Sequence, residues 1–295
     1  MTFADLALVL ASALLHAVWS ASIKNSRDPL IFNLHQLAPP LVLLVGTLPW
    51  IHLAEIPSGV WGWLVATSLA HGGYYYWMSR AYERGDLTLV YPITRSTPAF
   101  VPLVAVPLLG ESISPLGGAG IAVVVFGMWL VQIGQGLRWS SLSTPAALPA
   151  YLTLAATVAY SLCDKGAMSA LGASPWTSPV PRSLFYCLAI SCSCGFVFAP
   201  LVLRQRSVRQ IVSIGRDERM RATATSLASL VGYSLILLTL ETAPVSYVVA
   251  ARQTSVLFAL MLGIVWLRER PGRLRLIGAC VNVAGVALIA LSDPG

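Results

Sequence analysis

Arg95 sits between Pro92 and Pro98 in an apolar stretch, residues 87–109, that holds no other charged residue. An arginine inside a membrane span costs roughly 3 kcal/mol or more, so it normally faces protein or a watery cavity and marks a pathway. It lies about eight residues into its stretch, roughly 12 Å at 1.5 Å per residue, too deep for easy snorkelling. The preceding stretch carries His71, Tyr74, Tyr75, Met78 and Tyr82 at three- and four-residue steps, so they share one helical face. Rings to stack on, hydroxyls to bond and a cation to attract a carboxylate would together make a wall for a small amphipathic solute. Helix packing is the plainer reading of such a face, but a histidine and three tyrosines offer more hydrogen-bonding capacity than packing needs. Tyr76 and Trp77 point elsewhere.

Other residues belong with this wall. Tyr91 and Ser96 flank Arg95, and the prolines at 92, 98, 102 and 107 would each remove a helix hydrogen bond beside it. A second arginine, Arg252, lies in a later apolar stretch. Two guanidinium groups near the midplane could clamp a carboxylate in turn, or bond carbonyls freed by the prolines. Trp19 and Tyr160 are expected to face each other across the same space. His16 is a packing residue in its plainer reading. Asp164 is the one acid that could fall within a span, and Lys165 beside it suggests the membrane boundary instead.

These residues must be held by membrane-spanning helices. The chain has 295 residues, 56% hydrophobic and 11% charged, with mean hydropathy +0.73. Soluble domains carry about 25% charged residues. Apolar runs long enough for a hydrocarbon core follow one another at 3–23, 31–52, 61–82, 87–109, 115–134, 145–164, 180–203, 220–240, 245–267 and 273–291. The ten runs predict an all-α integral membrane protein in which function lies inside the helix bundle. The net charge of +7 does not point to nucleic acid, because the basic residues flank helix ends. Fifteen of the nineteen fall in connections after the odd-numbered runs, so the positive-inside rule predicts periplasmic termini. The sequence has no glycine-rich phosphate loop and no metal-ligand spacing, so no cofactor is expected.

The chain also repeats itself. Trp19-Ser20 followed by Lys24 recurs as Tyr160-Ser161 followed by Lys165. Glu111, Gly120 and Gly127 recur as Glu269, Gly278 and Gly285, and in that register Gln253, next to Arg252, aligns with Arg95. Fixed-offset similarity marks a duplicated unit. Five runs per unit is an odd number, so the second unit must enter the membrane inverted, with solute held between the units. The expected units are residues 1–138 and 139–295. The glycine-spaced fifth helices are expected to pack together or to form an oligomer face, in a monomer or homodimer.

With these marks the chain resembles the drug/metabolite transporter superfamily. The aromatic-Ser pair before Lys, the Glu ending each fourth helix and the Gly-spaced fifth helix carry the resemblance. It is similar to the EamA branch of bacterial metabolite exporters, the YddG-type amino-acid exporters in particular. The resemblance implies a basket of helices around a cavity lined by the first, third, fourth, sixth, eighth and ninth. It implies a secondary transporter of the inner membrane that exports small amphipathic metabolites, neutral or aromatic amino acids foremost, by alternating access. A cationic-drug exporter is the alternative, and a membrane-embedded enzyme would need a midplane acid, base or nucleophile cluster that the sequence does not display. With the acids placed in loops or near helix ends, facilitated diffusion or exchange without obligatory proton coupling is expected.

Overall fold

The computed structural model describes residues 1–84, 87–134, 136, 139–265 and 271–292. Among them it is all-helical, with no strand. The helices are α1 (Phe3–Lys24), α2 (Pro29–His35), α3 (Ala38–Thr47), α4 (Ser58–Arg84), α5 (Leu87–Thr94), α6 (Thr97–Leu109) and α7 (Pro115–Ile133). They continue as α8 (Leu148–Gly172), α9 (Arg182–Ser193), α10 (Gly195–Leu203), α11 (Val208–Leu240), α12 (Val245–Ala251), α13 (Ser255–Val265) and α14 (Arg273–Leu291).

Helix starts follow local chemistry. Thr2 caps α1 and Ser207 caps α11, each in a reciprocal capping box, with Asp5 and Gln210 reaching back. Because Ser207 starts α11 there, residues 208–219, expected as connection, are helix instead. Four apolar runs are broken in the middle. The run 31–52 parts between α2 and α3 just before Pro39-Pro40, and 87–109 parts between α5 and α6 just before Pro98. The run 180–203 parts at Cys194, and 245–267 parts at a 3-10 turn, Arg252–Thr254. Proline lacks the N–H that would continue the ladder, which accounts for the first two breaks.

Seven helical stretches among the described residues are long and apolar enough to cross a bilayer. α4 and α8 fall outside that set. The outside is apolar: Val42, Val65, Leu103 and Phe126 are each 60% or more exposed. Polar groups are buried instead, as expected when lipid surrounds the chain.

α7 and α14 lie against each other through glycines. A Cβ on Gly127 would stand 2.6 Å from the Asn282 nitrogen, and one on Gly120 2.9 Å from the Gly285 carbonyl. Gly120 thus meets Gly285 while Gly127 meets Gly278, so the two helices run antiparallel. Between the two expected roles of these helices, packing together is the one observed.

The Glu111 carboxylate accepts from the backbone N–H of Val245 and from the Ser246 N–H and hydroxyl, at 3.3 and 2.6 Å for the latter two. It caps the first turn of α12. Glu269, its sequence counterpart, lies outside the described residues.

Candidate functional site

α1, α4, α8 and α11 surround two adjoining chambers. The first encloses about 690 Å³ when the open space at its mouth is included. It is lined by His71, Tyr74 and Tyr75 of α4, Tyr160 of α8, Tyr233 of α11, and Asn33 and Gln36 of the α2 end. The second chamber, about 630 Å³ on the same basis, is lined by Tyr74, Met78, Tyr82, Arg95, Thr157 and Ser161. His16, Trp19, Tyr74, Tyr160 and Arg252 border both. The spacing of α4 therefore delivers one continuous wall, because steps of three and four residues keep side chains on one face. The Tyr91 side chain lies outside the described residues.

The wall is a set of ring contacts. Tyr74 stacks near Trp19 with centroids 6.5 Å apart and meets Tyr160 edge-on at 5.4 Å. Trp19 and Tyr160 thus both pack against Tyr74. His71 stacks on Tyr160 at 4.0 Å, and His16 stacks on Trp19 at 5.1 Å. Tyr76 turns away, its hydroxyl accepting from Gln205 Nε2 at 2.7 Å.

Both arginines stand at helix breaks: Arg95 is the first residue after α5, and Arg252 the first after α12. Arg95 donates to Ser255 Oγ at 2.7 Å. Arg252 lies over the Tyr233 ring at 5.4 Å and approaches His16 Nδ1 at 3.5 Å. Its Nε is buried without a hydrogen-bond partner. The carbonyls at the breaks are not left open: Ser96 bonds Pro92 O at 2.7 Å, Thr97 bonds Thr94 O at 3.0 Å, and Thr254 bonds Ala251 O at 2.9 Å. Neighbouring hydroxyls thus occupy one acceptor position on each of these three carbonyls.

Sequence reasoning misplaced Asp164. It is fully buried, about eight residues before the end of α8 and so roughly 12 Å from it, not at a boundary. Thr67 donates to its Oδ1 at 2.6 Å, Tyr233 donates to Oδ2, and His71 Nε2 lies 4.0 Å from Oδ2. Lys165 points away and caps α11 by donating to Leu240 O at 2.9 Å. Adjacent residues on a helix differ by about 100° in direction, so Lys165 says nothing about where Asp164 points. Sequence reasoning also missed a chain of buried amides. Trp19 Nε1 donates to Gln36 at 2.9 Å, Gln36 to Asn33 at 2.8 Å, and Asn33 to Ser79 at 3.0 Å. The available signal was Asn33 and Gln36, two amides three apart in a mostly apolar run.

An apolar exterior and a polar interior with two chambers lined by rings and arginines define a helical membrane protein. The chain belongs to the EamA-like transporter family, whose profile matches residues 4–133 and 179–291. It is 26% identical over 122 residues to an uncharacterized transporter in the cobO 3' region of a Sinorhizobium species, a match covering 41% of this chain and 86% of that protein. One crystal structure of a protein shares the fold at a TM-score of 0.70 and 17% identity, over 99% of this chain and 98% of its own.

Proposed function

We propose that the chain is an inner-membrane exporter of small amphipathic metabolites bearing a carboxylate, neutral and aromatic amino acids foremost. Arg252 carries this reading. Its guanidinium borders both chambers and keeps a buried Nε–H with no acceptor. A buried donor left unpaired costs about 1–3 kcal/mol, which an incoming carboxylate would recover. The rings of Trp19, Tyr74, Tyr75 and Tyr160 take the side chain of the solute. Arg95 and Arg252 together disfavour a purely cationic cargo.

Transport runs by alternating access between residues 1–138 and 139–295, as inverted five-helix repeats with both termini periplasmic. The antiparallel glycine contact of α7 with α14 supports this reading, as do the paired breaks that place an arginine after α5 and another after α12. Ion pairs join helix ends on the side assigned to the cytoplasm: Arg206 bridges Asp28 and Glu83, both at 2.5 Å, and Arg27 meets Asp217 at 2.6 Å.

The test is counterflow in liposomes with labelled amino acids, the matching decarboxylated amines, nucleobases and sugar phosphates. Saturable counterflow of amino acids and none of the amines is expected. Arg252→Gln should weaken it about 10- to 100-fold, since a hydrogen bond to a charged group is worth about 1.5–3 kcal/mol. Equal transport of amine and amino acid would refute the carboxylate assignment.

A further inference from the structure

The transport reading leaves the buried Asp164 unused. It does not line either chamber, yet two residues that do, His71 and Tyr233, both face it. We propose that Asp164 and His71 form a proton-binding site, and that the exporter exchanges its substrate for a proton. This proposal rests on the exporter reading and adds the coupling ion to it.

The hydrogen bonds decide which nitrogen is free. Thr67 has one hydroxyl proton and gives it to Asp164 Oδ1 at 2.6 Å. It has none left for His71, whose Nδ1 lies 3.0 Å from Thr67 Oγ1 and 3.1 Å from the Thr67 carbonyl. Both of those atoms must then accept, so Nδ1 carries the hydrogen in the neutral ring. Nε2 is left as the base, facing the carboxylate at 4.0 Å. The pair can therefore carry one exchangeable proton, on Nε2 or on the carboxylate, which stand 4.0 Å apart. With that proton the pair is neutral overall, and without it the pair carries one negative charge.

The surroundings contain the charges that such a site needs. On α11, Tyr233 donates to Asp164 and holds the Arg252 guanidinium over its ring at 5.4 Å. Arg252 is the cation within electrostatic reach of Asp164. From α9, Tyr186 and Cys187 also lie within reach, and the Tyr186 hydroxyl is buried without a hydrogen-bond partner. On α8 itself, Tyr160 stacks on His71, Cys163 neighbours the carboxylate, and Lys165 is committed to Leu240 O. Glu111 interacts with Lys165 and is occupied in capping α12.

Mutual exclusion follows from this charge balance. An unpaired charge buried in low dielectric costs several kcal/mol, so the deprotonated pair draws in a positive group. A proton entering from the chamber through His71 satisfies it. So does the ammonium of a zwitterion whose carboxylate sits on Arg252. Either occupant makes the other unfavourable, and one proton is traded for one substrate.

The test uses the full-length protein in liposomes, with equal labelled amino acid on both sides, the membrane potential clamped and the lumen made one pH unit more acid. One-for-one exchange should accumulate substrate inside, up to about tenfold per pH unit. Asp164→Asn should abolish accumulation, with its folding checked apart from transport, as a melting temperature in detergent and an elution volume like those of the wild type. Counterflow without accumulation in the wild type would overturn the proposal and leave the exporter reading standing, as would accumulation that persists in Asp164→Asn. No counterflow by any amino acid would overturn the exporter reading and this proposal with it. Should Asp164→Asn fail to reach the membrane folded, Thr67→Val supplies the test. It removes the donor that fixes the tautomer and should shift the pH of half-maximal accumulation, and an unchanged midpoint would overturn the proposal.

Discussion

Replacing Gly127 with alanine tests how closely α7 and α14 approach. The new Cβ would stand 2.6 Å from the Asn282 nitrogen and 2.8 Å from the Gly278 carbonyl, both backbone atoms that no rotamer change can move. Ordinary contact begins at 3.4 Å, so the helices must part by 3.4 − 2.6 = 0.8 Å at this crossing. A gap of that size forfeits about a quarter to a half of each facing dispersion contact. Overpacking of this kind costs about 1–3 kcal/mol, and the better helix propensity of alanine returns at most about 1 kcal/mol. A net loss of roughly 1–2 kcal/mol is expected, read as an apparent melting temperature several degrees lower in detergent. Gly46→Ala is the control, because a Cβ there meets nothing within 4 Å; it should melt at or slightly above the wild type. Combining Gly127→Ala with Gly278→Ala should cost less than the sum, since both substitutions push on the same crossing. A Gly127→Ala protein that melts as high as Gly46→Ala would refute the close antiparallel contact.

Other outcomes can be checked alongside. Tyr74→Leu should lower flux at unchanged amounts of folded protein, because Tyr74 borders both chambers and packs against Trp19 and Tyr160; Tyr76→Phe, whose hydroxyl meets Gln205 outside the chambers, should leave flux unaltered. Arg206→Gln should lower stability by roughly 1 kcal/mol, a loss that shrinks in high salt because the pairs are partly exposed. Glu55, in the connection before α4, accepts from the Thr177 hydroxyl and N–H and from His52, which lowers its carboxyl from 4.5 to about 2. A lowered carboxyl stabilises above its unfolded value and loses that contribution as pH falls towards the folded one. The melting difference between wild type and Glu55→Gln should therefore hold from pH 7 to about 5 and shrink below about 4; a difference that grows on acidification would contradict the contact.

Much was legible in the sequence because it depends on neighbours along the chain. Lipid exposure demands long apolar helices, and the ten runs all contain helix wherever the structure is described. The face shared by His71, Tyr74, Tyr75, Met78 and Tyr82 follows from helical periodicity alone. The glycines of α7 and α14 marked a close approach, although not against which surface.

Tertiary structure decided the rest. Asp164 looked peripheral because Lys165 adjoins it, yet the two side chains diverge around α8 and meet partners on different helices. Thr67 and Tyr233, which hold Asp164, lie 97 and 69 residues from it in sequence. Arg95 and Arg252 are alike in local context, but packing gave Arg252 the edge of both chambers and a buried Nε without a partner. Membrane insertion and helical facing are therefore properties of the sequence by itself, set by water, lipid and the 3.6-residue turn. Which buried polar groups share a hydrogen bond or a proton is fixed only when helices distant in sequence come together, since partner and distance set the energy of a buried charge.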